Sequence, residues 1–190
     1  LKSFVRGGFW RNFLAKYPES NEMYCRMREV SDRIEQVSQS DAADEHPDLL
    51  AEARTELYRG QCNCSYWHGA FGGIYLPHLR NAVYNHLIAA ENLIDQATGK
   101  DEQAIEATTG DLNFDVRQEV RLANDKLVAL IAPSDGGQIY ELDVRSICHN
   151  LLATLQRRPE AYHRKVLHGP SDGGDNVASI HDRVVFKQEG

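Results

Sequence analysis

The spacing of apolar side chains changes once along this chain, and that change decides the fold class. Between residues 18 and 94 apolar residues recur every three or four positions, the spacing that gathers them on one side of a helix. Past Gly110 they recur every second position, the spacing of a strand with two unlike faces. Met23, Met27, Val30, Ile34 and Val37 form a first helical stripe, and Leu49, Leu50, Ala53 and Leu57 a second. Leu76, Leu79, Val83, Leu87, Ala90 and Ile94 form a third, with Gly99 as its stop. Ser20 and Asn21 are candidate caps for the first helix. Residues 38–47, polar and acidic with His46 before a proline, read as a loop.

In the second part, Val116, Gln118, Val120 and Leu122 alternate with Arg117, Glu119 and Arg121. The runs 126–132 and 138–144 flank Pro133-Ser134-Asp135-Gly136-Gly137, whose glycines supply the positive φ angles of a hairpin turn. Residues 151–155 read as a short helix, 171–175 as a loop and 184–186 as a further strand. The expectation is an α+β chain: an N-terminal antiparallel helical bundle over residues 1–108, followed by an incomplete antiparallel, sandwich-like β region over 109–190.

At 190 residues the chain holds one ordinary core and part of a second. It begins without Met and stops four residues after the last expected strand, so it reads as an internal piece of a longer polypeptide. Its net charge is -7, and no Lys/Arg cluster is dense enough to neutralise a row of phosphates, which argues against nucleic acid. No apolar run reaches the roughly 18 residues of a membrane span, and no signal peptide is visible. Cys25, Cys62, Cys64 and Cys148 are too few and too unevenly spaced for a disulfide framework, so a reducing, cytoplasmic setting is expected.

Residues 61–100 carry only Arg80, Glu91, Asp95 and Lys100 as charged side chains, against 45 charges in the other 150 positions. Within them, residues 61–73 place Tyr66, Trp67 and Phe71 among Gln61, Asn63, His68 and three glycines. Rings stack on the apolar faces of a sugar, amides and imidazole bond its hydroxyls, and glycine lets the backbone come close. Packing accounts for the same residues about equally well, because Trp67 and Phe71 lie one helical turn apart. Cys62, Cys64 and His68, with His78 or Cys148, suggest a zinc site, but paired C-x2-C spacing is absent and buried, reduced thiols are the favoured reading. The acidic residues Glu19, Glu22, Asp41, Asp44, Glu45 and Asp48 read as a solvated face, and Arg157, Arg158, His163, Arg164, Lys165 and His168 as loop surface. Phosphate-loop, dinucleotide, metalloprotease and serine-hydrolase motifs are missing, and neither a cofactor nor a metal is expected.

The strings Gly8-Phe9-Trp10-Arg11-Asn12-Phe13-Leu14 and Lys16-Tyr17-Pro18-Glu19, and above all residues 66–80, YWHGAFGGIYLPHLR, resemble glycoside hydrolase family 57. The nearest branch is the 4-α-glucanotransferase and α-amylase type, and the likeness continues through residues 139–143 and 157–163. The resemblance implies a retaining α-1,4-glucan enzyme with a glutamate nucleophile and an aspartate acid/base on an N-terminal barrel. Neither catalytic motif occurs in these residues, so no catalytic residue is assigned in this chain and the isolated piece is expected to be inert. The partners implied are an α-glucan or maltooligosaccharide and the missing barrel, with a non-catalytic glucan-binding scaffold as the alternative. By the same resemblance Asn63, Cys64, Tyr66, Trp67, His68 and Phe71 border the sugar. That branch usually carries Asp where this chain has Cys64, so one acidic group of the cleft is replaced by a thiol.

Overall fold

The computed structural model describes residues 9–68, 72–100, 104–156 and 158–159. Its helices are α1 (Trp10–Lys16), α2 (Pro18–Ser38), α3 (Ala42–Glu45), α4 (Pro47–Gly60) and α5 (Pro77–Ala97). Five strands follow, β1 (Glu106–Gly110), β2 (Glu119–Ala123), β3 (Leu127–Ala132), β4 (Gln138–Val144) and β5 (His149–Asn150). They pair with their sequence neighbours, every pair antiparallel, in one open sheet of order β1-β2-β3-β4-β5. The α+β class expected from the change of period is the class observed.

The three stripes become the helical core. Met23, Val30 and Ile34 of α2 meet Ala53 and Leu57 of α4 and Val83, Leu87, Ile88 and Ile94 of α5. Gly60 ends α4 against α5: a Cβ built there would lie 2.8 Å from Cδ2 of Leu87, so the missing side chain is what lets the two helices close. Proline opens α2, α4 and α5 at the first turn, where its missing N–H has no helical partner in any case. This corrects the capping expectation, because Tyr17 is the N-cap of α2 and no side chain caps the helix. Ser20 is fully buried instead, and its hydroxyl donates to the Tyr66 carbonyl.

Three further expectations are corrected. The loop 38–47 contains the single turn α3, residues 151–155 are not helical, and the strand expected from 116 begins only at Glu119. Val116 has a positive φ of 71° and is 91% exposed, so residues 111–118 form a loop between β1 and β2. The hairpin of β3 and β4 is as expected, with Gly136 and Gly137 at φ 76° and 77°. Residues 171–175 and 184–186 lie outside the described residues.

The covered side of the sheet carries the charges of β2 and β4 beside the apolar Ala123, Val128 and Leu130. In β2, Glu119 and Arg121 are buried while Leu122 is exposed, and in β4 Glu141 and Asp143 are buried. These groups meet α2 and α5 in one mesh. Arg26 Nε donates to Glu141 at 2.8 Å, Arg26 NH1 to Glu29 at 3.0 Å, and Arg26 NH2 to Glu91. Arg33 and Arg121 also donate to Glu91, and Arg145, just past β4, donates to Asp95. Although burial opposes both charges, the surrounding Arg26, Arg121 and Arg33 hold the Glu91 carboxyl well below the usual range, and Glu91, Glu29, Glu141 and Asp143 keep Arg26 charged. Burial, reinforced by Asp143, pushes the Glu141 carboxyl up. The two carboxyls share the Arg26 guanidinium, which lies 2.8 Å from Glu141 and 3.5 Å from Asp143.

Candidate functional site

The segment from Gln61 to Leu76 leaves α4, makes one 3-10 turn at Asn63–Ser65 and a second at Gly73–Tyr75, and enters α5. Two contacts close it into a loop. Ile74 N–H donates to the Trp67 carbonyl at 2.9 Å, and Arg80 NH1 donates to the Ile74 carbonyl. Gly73 makes the closure possible: at φ 50° a Cβ there would sit 1.7 Å from the Trp67 carbonyl oxygen, far closer than a non-bonded carbon and oxygen can approach.

Successive residues of this loop point in different directions. Tyr66 is buried, donates to the Gly60 carbonyl at 2.7 Å, and its phenol is pushed up by burial. Trp67 is 42% exposed. His68 turns inward to an aromatic cluster, where its Nε2 lies 2.6 Å from the Tyr17 hydroxyl and its ring 4.8 Å from that of Tyr75 and 5.4 Å from that of Phe13. Asn63 and Cys64 are exposed. Phe71 lies outside the described residues.

A cavity of about 330 Å³ opens beside Trp67, lined by Trp10, Tyr24, Met27, Gln61, Asn63, Tyr66 and Trp67. Trp10, 42% exposed, stands edge-on to Tyr24 with ring centroids 6.4 Å apart. No lining residue is charged, and the wall is chiefly ring and apolar surface, with Asn63 and Gln61 among its lining residues. The structure therefore brings Asn63, Tyr66 and Trp67 to one cavity and directs His68 to another set of partners. Trp10, Tyr24, Met27 and Gln61 come from α1, α2 and the end of α4; Met27 reads as core in the helical stripe, and nothing in periodicity joins it to Trp10.

Two expectations for this region are corrected. Cys62 and Cys64 are exposed free thiols, not buried ones, and they form no metal-ligating group with His68 among the described residues. Glu19 and Glu22 do not belong to a solvated face. Glu19 accepts from Arg158 NH2 at 2.8 Å with both oxygens, and the Arg158 guanidinium lies 4.9 Å from the centre of the Tyr17 ring. Arg158 is thus tied to α2 and is not loop surface. Burial, with help from Glu19 and against Arg158, raises the Glu22 carboxyl to about 7. Among the described residues no helix is long and apolar enough to cross a membrane.

Residues 8–94 match the family description "Alpha-amylase/4-alpha-glucanotransferase, middle domain", and residues 111–190 match its C-terminal domain. The chain is 39% identical to alpha-amylase 1 of Dictyoglomus thermophilum over 98% of its own length and 25% of the relative's. It is 41% identical to the 4-alpha-glucanotransferase of Thermococcus kodakarensis over 94% of its length and 24% of the relative's. A solved structure of 4-alpha-glucanotransferase from Thermococcus litoralis superposes with a TM-score of 0.66 at 41% identity, covering 85% of this chain and 22% of that one. An open antiparallel sheet packed on helices thus goes with matches to the middle and C-terminal domains of one enzyme class. The chain belongs to the alpha-amylase/4-alpha-glucanotransferase family and spans about a quarter of the length of the curated relatives it matches.

Proposed function

We propose that this chain supplies substrate-cleft residues to an α-1,4-glucan-acting enzyme of the retaining, 4-α-glucanotransferase or α-amylase type, whose nucleophile and acid/base lie on another part of the polypeptide. In this reading residues 1–108 line the glucan cleft and residues 109–190 begin a β-sandwich domain. The observation that carries it is the uncharged aromatic cavity at Trp67, a surface suited to a neutral sugar to which Tyr66 and Trp67 of the string most like the family contribute. Asn63, Tyr66 and Trp67 are its proposed sugar-contacting residues, and Cys64, His68 and Phe71 complete the proposed border of the cleft. Trp67 stacks on a glucose ring, Asn63 bonds hydroxyls, and His68, held by Tyr17, keeps the loop in place.

Replacing Trp67 by Ala in the full polypeptide is expected to weaken maltooligosaccharide binding by about 1–3 kcal/mol. Because Trp67 is 42% exposed, the thermal unfolding midpoint should stay nearly constant. Calorimetric titration with maltooligosaccharides checks this, and unchanged affinity would remove Trp67 from the site. The exposed thiol of Cys64, where the resembling branch carries a carboxylate, favours a second reading in which the polypeptide binds glucan without turnover. Activity of the unaltered polypeptide on maltooligosaccharides excludes that reading; an unchanged length distribution, restored to turnover by Cys64→Asp, supports it.

A further inference from the structure

We propose that the loop between β1 and β2 is a divalent-cation site that takes calcium through Asp111, Asn113, Asp115 and Glu119. Gly110 and Glu119 are paired across the two strands, so the loop leaves and rejoins the sheet at one point. Oxygen atoms of Asp111, Asp115 and Glu119 lie within 4.8 Å of one another. Two oxygens that share a calcium ion at 2.3–2.6 Å stand at most about 5 Å apart, so one ion reaches all three carboxylates.

The observation that points to a ligand is the state of Glu119, which is independent of how many acids the loop carries. Its side chain is fully buried; Oε2 accepts from Leu112 N–H at 2.8 Å, and Oε1 is buried with no hydrogen-bond partner. A buried carboxylate with one unpartnered oxygen, set beside two further carboxylates, needs a proton or a cation. The protein does not supply the cation: among the described residues none of the three carboxylates is paired with a Lys, Arg or His, and Arg117, the one basic residue of the loop, bonds Asp135 at 3.1 Å instead.

The order of the ligands fits a known calcium logic. Asp111-x-Asn113-x-Asp115 repeats positions 1, 3 and 5 of a calcium-binding loop, in which alternate oxygens converge on the ion. Asp111 accepts from Asp115 N–H and Val116 N–H, each at 3.0 Å, which turns the chain back over its own side chains. The loop departs from the helix-flanked version by using a buried Glu at position 9, where the strand β2 begins, so it closes in fewer residues. An all-oxygen, anionic and irregular set of donors suits calcium better than magnesium, which demands near-octahedral geometry. The loop also touches α2, where Asn21 Nδ2 donates to the Asn113 carbonyl at 2.6 Å, so a bound ion would tie the β1–β2 hairpin to the helix that carries Arg26.

The test is calcium binding to the full polypeptide after chelator treatment, by equilibrium dialysis and by calorimetric titration with CaCl2, on the unaltered protein and on the double variant Asp111→Asn, Asp115→Asn. Asp115→Asn keeps an oxygen for Arg117 N–H, and Asp111→Asn keeps one of the two oxygens that accept from Asp115 N–H and Val116 N–H. The expected result is one calcium fewer per chain in the variant, a thermal midpoint of the unaltered protein that rises with calcium, and a weaker response to magnesium. Equal calcium stoichiometry in both proteins overturns the proposal. If the double variant does not fold, Glu119→Gln is read in the same way. Absence of any calcium-dependent heat or midpoint shift in the unaltered protein overturns the proposal without a variant.

Discussion

The helical core and the helix–sheet interface are equally buried, yet they are built on opposite principles. Leu87, Ile88, Val83 and Ile94 pack against Met23, Val30 and Leu57 with no charge among them, and their stability comes from apolar area removed from water. On two of the same helices and the sheet beside them, Arg26, Glu91, Arg121, Glu141 and Asp143 are as deeply buried and hold one another by charge. A side chain in the first region can shrink and leave only a void. In the second, losing one partner strands the charges that faced it, so the interface is the less forgiving of the two.

The largest effect should follow from Arg26→Ala, which leaves Glu91, Glu141 and Asp143 facing one another without their shared cation. Urea unfolding is expected to show a loss of about 3–5 kcal/mol, with the helix–sheet contact failing first. Leu87→Ala in the apolar core should cost about 2–4 kcal/mol by the same measurement. A smaller cost for Arg26→Ala than for Leu87→Ala would break the comparison.

The next effect depends on pH. The Glu22 carboxyl, raised to about 7 from 4.5, binds its proton more tightly in the folded chain than in the unfolded one. Its contribution is therefore fully present below about 4.5 and is lost as pH rises toward 7. Unfolding curves across that window should show a decline that Glu22→Gln flattens; identical slopes would place Glu22 in water. The smallest effect belongs to Arg117→Ala. Its pairing with Asp135 is more than half exposed at both ends, and the loss should be at most about 1 kcal/mol. That contrast with Arg26 sharpens the comparison, because the same guanidinium–carboxylate contact is used at the two extremes of burial.

The two regions also differ in how readable they are. The core was legible because the hydrophobic effect sorts residues by spacing: Met23, Val30, Ile34, Ala53, Leu57, Val83, Leu87, Ala90 and Ile94 of the stripes are residues that pack, while Leu49, Leu76 and Leu79 are only partly buried. The hairpin was legible because Gly136 and Gly137 permit a backbone that other residues resist. The interface was not, because the alternation sets Glu119 and Arg121 apart from Val120 and Leu122 without saying which side is covered, and the charged side is the inner one. Alternation reports that two faces differ, and only the partner surface says which face is covered. β1, with the sequence EATTG and four exposed positions, has no apolar face to announce it. At the site, the aromatic and amide composition of residues 61–73 singled out Trp67, Asn63 and Tyr66, while the cavity's other wall, Trp10 and Tyr24, is assembled by tertiary packing alone. Glu19 and Arg158 were misread as surface because their partners lie 139 positions apart.

The position of Arg26 has a consequence for inheritance. Its guanidinium sits on α2 and its counter-charges on α5 and β4, so the middle and C-terminal regions share one electrostatic lock with the key cut half in each. Exchanging either region for that of a distant relative transplants half a set of buried charges, and substitutions within the set succeed only as coordinated changes. Two regions that match separate domain descriptions are thus obliged to travel, and to drift, as one unit.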